Sequence, residues 1–452
     1  MKIHKGLAFA LFMVLLLVLT GCNTSQPAQQ PAGEKSSQTE QNAPAESKEP
    51  VVIKVLAMQQ AGYTADEMDE IANRFSKENP NIKIEVTYLS YDEIYDKLVT
   101  SFSSSETAFD IFLVDDPWYT QFAEAGWLLD ITDRVSPEYK NGIMGSAWNI
   151  TTVNDKIYGM PWMIDAKMFF YNKEILKKAG YDAPPTTWEE LAEMGKTIKE
   201  KGLVEYPIVW SWAQAEASVC DFVLLVAGNN GTFFDKDGNP VFNNEAGVEA
   251  LTWMVDSINS GLSNPASITS VEEDVRSVFS QGNAAFAVNW PYMYELSQFN
   301  KEESLITGKV GLALIPVFEK GKKAGLTTVT TNGSMGFSLA ANSKHADEAW
   351  KYLEFLSSKD IQIEYAAHLP PVWKTAYQAE ALEKLKSASE ASADLVPVFA
   401  QQYPHAVMRP RIPYYTDAST KIQLALQEAL TGQKTPQQAL DDAVAAINDL
   451  KK

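Results

Sequence analysis

The 452-residue chain has only two cysteines and four histidines, and that scarcity excludes several kinds of chemistry. Cys22 ends an N-terminal apolar run, and Cys220 lies in the helical pattern Ser218-Val219-Cys220-Asp221-Phe222-Val223-Leu224-Leu225. With Cys22 modified, no intramolecular disulfide can form, and Cys220 reads as a core thiol rather than a nucleophile. His4, His345, His368 and His405 are too scattered for the spacing of a metal-ligand set. The motifs GxGxxG, GxxxxGK[ST] and HExxH are missing. Asn332-Gly333-Ser334-Met335-Gly336 falls short of a nucleophile elbow, because asparagine holds the first glycine position; it reads as a tight turn between strands. Asp235-Lys236-Asp237-Gly238-Asn239 begins like a calcium loop, but Pro240 and Ala246 stand where that loop needs glycine and a bidentate glutamate. A β-turn is the better reading. Tyr414-Tyr415 follows the stiff Pro410-Arg411-Ile412-Pro413 and reads as the start of a helix, not as iron ligands. No metal and no cofactor are expected.

Basic residues are also in the minority, 38 Lys+Arg against 58 Asp+Glu, for a formal charge of −20. A chain this acidic repels phosphate backbones, so nucleic acid is not an expected partner. The chain does hold 11 Trp, 18 Tyr and 20 Phe, too many for a disordered protein. At ~100–200 residues per domain, the length predicts two or three domains with real cores.

Lys2 and Lys5 precede an unbroken, mostly apolar run from Leu7 to Thr20. That run is short for a membrane span and right for a signal peptide. It ends in Leu19-Thr20-Gly21-Cys22, which resembles a bacterial lipobox, where the cysteine is lipidated and residues 1–21 are removed. An ordinary signal peptide with an incidental cysteine is the plainer alternative. Residues 22–50 carry no aromatic and no aliphatic side chain larger than alanine, so they predict a disordered tether. Its 28 residues after Cys22 reach roughly 30 Å as a flexible coil.

From residue 51 onward, strand and helix signals alternate. Val51–Leu56 is an apolar run of strand length, and Thr64-Ala65-Asp66-Glu67 is a capping box for a helix burying Met68, Ile71, Ala72 and Phe75. Ile82, Ile84, Val86 and Tyr88 alternate as a strand; a helix from Tyr91 and the strand 109–114 follow. Strand 168–171, the helices Lys173–Ala179 and from Thr187, strand 206–210, the helix from Ser270 and strand 284–289 continue the pattern. The series implies an α/β protein of two lobes, with parallel strands and helices on the sheet faces. Ligands of such sheets bind beyond the strand carboxyl ends.

Aromatic and polar residues cluster where strands should end. Asp115-Asp116-Pro117-Trp118 follows strand 109–114, and Trp162-Met163-Ile164-Asp165 precedes strand 168–171. Trp212, Gln214 and Glu216 follow strand 206–210, and Trp290 and Tyr292 follow strand 284–289. Trp373 sits between helical stretches, while Trp127, Trp188, Trp253 and Trp350 read as structural. Flat rings and carboxylates or amides are what a sugar requires, one for its C–H faces and the other for its hydroxyls. Any single tryptophan is more often a core residue than a ligand platform; five such coincidences at element ends are harder to assign to cores.

These stretches, with Phe122-Ala123-Glu124-Ala125-Gly126-Trp127-Leu128, Tyr171-Asn172-Lys173, Pro410-Arg411 and Gln427-Glu428-Ala429-Leu430-Thr431-Gly432, resemble the family 1 extracellular solute-binding lipoproteins of ABC sugar importers. The similarity to maltose- and trehalose/maltose-binding proteins spans nearly all of 51–452. It implies the two-lobe periplasmic-binding-protein fold, with crossovers near 163–167, 305 and 358. Lobe 1 would hold 51–163 and about 306–358; lobe 2 would hold 164–305 and about 359–452. The implied function is capture of a di- or oligosaccharide by hinge closure and delivery to permease subunits, without catalysis. The protein would be a lipid-anchored monomer on the extracytoplasmic side of a bacterial membrane. The resemblance implies Asp116, Trp118, Asp165, Gln214, Glu216, Trp290, Tyr292 and Gly333 as ligand contacts, and the aromatic pattern at strand and helix ends adds Trp162, Trp212 and Trp373. Lys167 and Trp373 depart from the family pattern, which points away from plain maltose. A membrane sensor is an alternative recipient of the bound sugar, and a glycoside hydrolase is an alternative use of Asp and Glu beside Trp.

Overall fold

The computed structural model describes residues 49–451, apart from 60–63, 104–107, 367–369, 379, 381, 382, 384 and 386–388. The leader, Cys22 and all but the last residues of the tether lie outside the described residues. Local rules place the first elements. Thr64 and Glu67 cap the helix Ala65–Glu78 reciprocally, and Met68, Ile71, Ala72 and Phe75 form its buried face. Met68, Ile71 and Phe75 each contribute ~1.5–3 kcal/mol by leaving water, and Ala72 less. Asn172 caps the helix Lys173–Ala179, which stops at Gly180 with φ +97°, where a side chain would be strained.

The strands that frame the molecule are β1 (Val51–Met58), β2 (Ile82–Leu89), β3 (Ile111–Asp115), β4 (Met160–Met163), β5 (Met168–Asn172), β6 (Ile208–Val209), β7 (Phe286–Asn289), β8 (Val310–Ala313), β9 (Thr330–Thr331), β10 (Met335–Leu339) and β11 (Ala406–Val407). A five-stranded sheet has the order β2-β1-β3-β10-β4, and a four-stranded sheet the order β8-β5-β7-β6. β1 pairs in parallel with β2 and β3, as the local alternation predicts. β10, however, runs antiparallel to both β3 and β4, so the sheet is mixed. In the second sheet β5 is antiparallel to β7 and β8, while β6 and β7 are parallel. Strand β10 joins from far along the chain, and no helix–strand alternation near residue 115 encodes that partner.

Ile164–Lys167 carries the chain from the first sheet to the second. β8 still belongs to the second sheet, so the return passage lies between 314 and 334 rather than near 305. The expected crossing near 358 also moves. Gln362 donates to the Trp162 carbonyl, and Trp373 donates to that of Ser357, so this stretch stays beside the first sheet. The helix Glu390–Gln402 then packs on β8, as Met293–Gln298 also does. An amphipathic helix carries no mark of which of two sheets it will cover. β9 and β11 pair in parallel where two connecting segments run side by side.

Candidate ligand-binding site

Side chains from both sheets meet around one arginine. β3 ends at Asp115, whose Oδ1 accepts the Asp116 amide at 2.8 Å and so caps the short turn Asp116–Trp118, with Pro117 fixing its φ. Tyr91 opens the helix after β2, and its hydroxyl donates to Asp115 Oδ2 at 2.5 Å. Arg409 donates from Nη2 to Asp115 Oδ1 at 2.7 Å and from Nη1 to Glu216 Oε1 at 2.9 Å. Glu216 is the first residue of the helix Glu216–Gly228 and also accepts from the hydroxyls of Tyr415 and Ser419. The guanidinium is 2% exposed, so it joins two desolvated carboxylates. Burial pushes the Glu216 carboxyl up from its ordinary value, against the pull of Arg409 and the hydroxyls. Removing the arginine would leave two buried anions facing each other without a counter-charge.

Beside this cluster is a cavity of 240 Å³ walled by Tyr91, Tyr95, Trp118, Gln214, Glu216 and Tyr415. Trp118 packs its ring 5.2 Å from Tyr91 and 5.4 Å from Tyr95, and is itself 4% exposed. A larger cavity of 840 Å³ is walled by Asn149, Ile164, Asn332, Tyr377, Tyr403 and Arg411, among others. Its wall includes the connecting segments at 164 and 332, but none of the eleven residues expected to touch ligand.

Trp290 and Tyr292 follow β7, as expected, and both are half-buried. The Trp290 indole donates to Glu272 Oε1 at 3.2 Å, and the Lys167 ammonium sits over its ring, 5.2 Å from the centroid. Lys167 and Asp221 are fully buried and paired at 2.6 Å. Burial pushes Asp221 up to about 6 even beside that ammonium, which still leaves the pair ionised at neutral pH. Gly333 lies against Trp290: a Cβ there would stand 2.5 Å from the ring. Its amide donates to the Asp165 carbonyl, and the Ser334 hydroxyl accepts the Asp165 amide at 2.9 Å. The Asp165 carboxylate accepts from the Ala166 amide, and burial holds its pKa well above the usual range. Asp116 is also fully buried, with both oxygens lacking a hydrogen bond. Arg411 Nε stands 3.4 Å from Oδ1 but is not aligned to donate, so burial prevails and pushes this carboxyl up to about 7.

Three of the expected contacts belong to cores instead. Trp212 is fully buried and stacks on Trp210 at 5.0 Å. Trp162 is 3% exposed and meets Phe337 edge-on. Trp373 is 3% exposed, covers Gly142 and lies 5.3 Å from Tyr139. Each fills a hydrophobic gap that a sugar would have to displace. Sequence reasoning did not single out Tyr91, Tyr95, Arg409, Tyr415 or Ser419, and of the pair Asp115-Asp116 it favours Asp116. One signal was present: two of the chain's five arginines stand in Arg409-Pro410-Arg411.

A family model for bacterial extracellular solute-binding proteins matches residues 61–363. The chain belongs to this family. Its members are binding proteins, not enzymes. A binding protein of Brucella abortus (strain 2308) is 27% identical over 403 residues, 88% of this chain and 93% of that one. Among solved structures, maltose-bound T. maritima MalE3 has a TM-score of 0.80 at 31% identity, covering 88% of this chain and all of the other. A Thermotoga lettingae ABC transporter solute-binding protein with α-D-tagatose has a TM-score of 0.75 at 26% identity, covering 89% and 99%. The fold is thus the α/β periplasmic-binding-protein fold, two mixed sheets flanked by helices, as the resemblance implied.

Proposed function

We propose that this chain captures a sugar between two lobes built on its two sheets and hands it to the permease of an ABC importer. The observation that carries this reading is the aromatic-walled cavity beside Asp115, Arg409 and Glu216, where ends of both sheets meet. Stacking faces with carboxylates, hydroxyls and amides suit a hydroxyl-rich ring. The solved relatives that hold maltose and tagatose support the ligand class. The first lobe comprises 51–163 and residues from β10 to about 377; the second comprises β5 to β8 and the helices after 389.

Ligand contacts drawn from both lobes favour the closed arrangement only by their differential affinity for it. Trp118, Gln214, Trp290 and Tyr292 are the proposed contacts, with Asp115 and Arg409 as the buried frame beside them. Lipidation at Cys22 would hold the protein at the outer face of the membrane, with residues 23–50 as its leash. Thermal-shift and calorimetric titration of the purified protein with maltose, trehalose, cellobiose, xylobiose and tagatose tests the reading. A sugar that raises the melting temperature and is recovered uncleaved is expected. Silence across the panel would contradict it, and cleavage would make the protein a hydrolase.

A further inference from the structure

We propose that Lys167 is a positioning residue of this site: its buried ammonium fixes the ring of Trp290 and ties it to the segments connecting the sheets. The inference rests on the sugar-binding reading for its consequence, but not for its physical content. The Lys167 side chain is fully buried, an expensive place for an ammonium unless its protons are all directed. Nζ donates to Asp221 Oδ1 at 2.6 Å and to Ser211 Oγ at 3.1 Å, and Ser211 donates to Asp221 Oδ2 at 3.2 Å. This closed triangle leaves the third N–H direction for the π face of Trp290.

The same residue is fastened through its backbone. Its amide donates to the Thr331 carbonyl, and its carbonyl accepts from Thr330 Oγ1 at 2.7 Å. Thr331 in turn donates from Oγ1 to the Cys220 carbonyl at 2.6 Å, next to Asp221. β9, which contains both threonines, pairs with β11. Lys167 thus joins the indole to three connecting segments, at 164–167, 330–331 and 406–407. Glu272 holds the indole N–H and Gly333 meets the ring, so the cation completes a fixed seat for the side chain proposed to stack on sugar.

The test neutralises the pair together, since removing the lysine alone would strand Asp221 as a buried anion. Lys167→Met/Asp221→Asn is compared in the wild-type and Trp290→Leu backgrounds. Ser211→Ala serves as a milder variant that loosens the ammonium and keeps its charge, should the double variant fold poorly. The ligand-free readout is tryptophan emission. A shift on neutralisation, or a smaller one with Ser211→Ala, that vanishes when leucine replaces Trp290 is expected. An equal shift in both backgrounds, or none in either, overturns the proposal. Maltose is the binding probe, with roughly a tenfold loss expected from neutralisation in the Trp290 protein and almost none in the Trp290→Leu protein. If maltose binds and Trp290→Leu weakens it while neutralisation does not, positioning by Lys167 is refuted and the sugar reading stands. If wild type ignores maltose and the rest of the sugar panel, the sugar reading fails, and emission alone decides the role of Lys167.

Discussion

Arg409 bridges Asp115, at the end of β3, and Glu216, on the helix after β6. Replacing it with methionine keeps much of the volume but leaves Asp115 and Glu216 buried and unpaired. Arg409→Met should lose roughly 3–5 kcal/mol of stability in urea unfolding, and an unchanged midpoint would contradict the bridge. Asp116 makes a separate prediction, in pH. Its carboxyl binds a proton up to about pH 7 when folded, against an ordinary value of 3.8. The folded state therefore holds the proton more tightly, so the gain is complete at low pH and is lost as pH rises from about 4 through about 7. Asp116→Asn should melt higher than wild type at pH 8 and differ little near pH 4. Parallel melting curves at both pH values would show that Arg411 keeps the group ionised. Gly333 is bound to its neighbour by space: Gly333→Ala would push the Trp290 ring, and sugar affinity should fall about tenfold, an effect calorimetry would detect.

At the scale of elements, core and contact tryptophans separate by measurement. Trp373→Ala should cost roughly 3–5 kcal/mol of stability with affinity nearly intact. Trp118→Ala should weaken sugar binding by more than its stability loss explains, as paired urea melts and titrations would reveal. Helices were legible because their signals are local: Thr64 with Glu67, Asn172 at one end and Gly180 at the other. Strand ends were legible for the same reason, which placed Trp290 and Tyr292 correctly after β7. Whether a ring beyond a strand end turns into the core or the cleft was not local. Trp212 stands two residues after the buried Trp210, and the period of an extended chain puts both rings on one face. That spacing points to the core, whereas the nearby Gln214 and Glu216 point to a site. The partner of β10 and the fate of 359–377 depend on contacts distant in sequence, so no pattern around those residues reveals them.

As a whole, the protein is proposed to be a capture device tethered at the membrane by lipid on Cys22. Cys22→Ser should abolish incorporation of labelled fatty acid and release the protein from membranes, while the sugar affinity of the body stays the same. Retention on the membrane would refute the lipid anchor. On the proposed function, sugar delivery would require the two lobes to separate and close, with the connecting segments around Lys167, Thr331 and Val407 as the proposed pivot. The most direct test is electron density for the sugar in crystals of its complex. The account predicts density between Trp118, Gln214 and Trp290, beside Arg409. Density in the 840 Å³ cavity against Tyr377 and Tyr403, with that cleft empty, would contradict it.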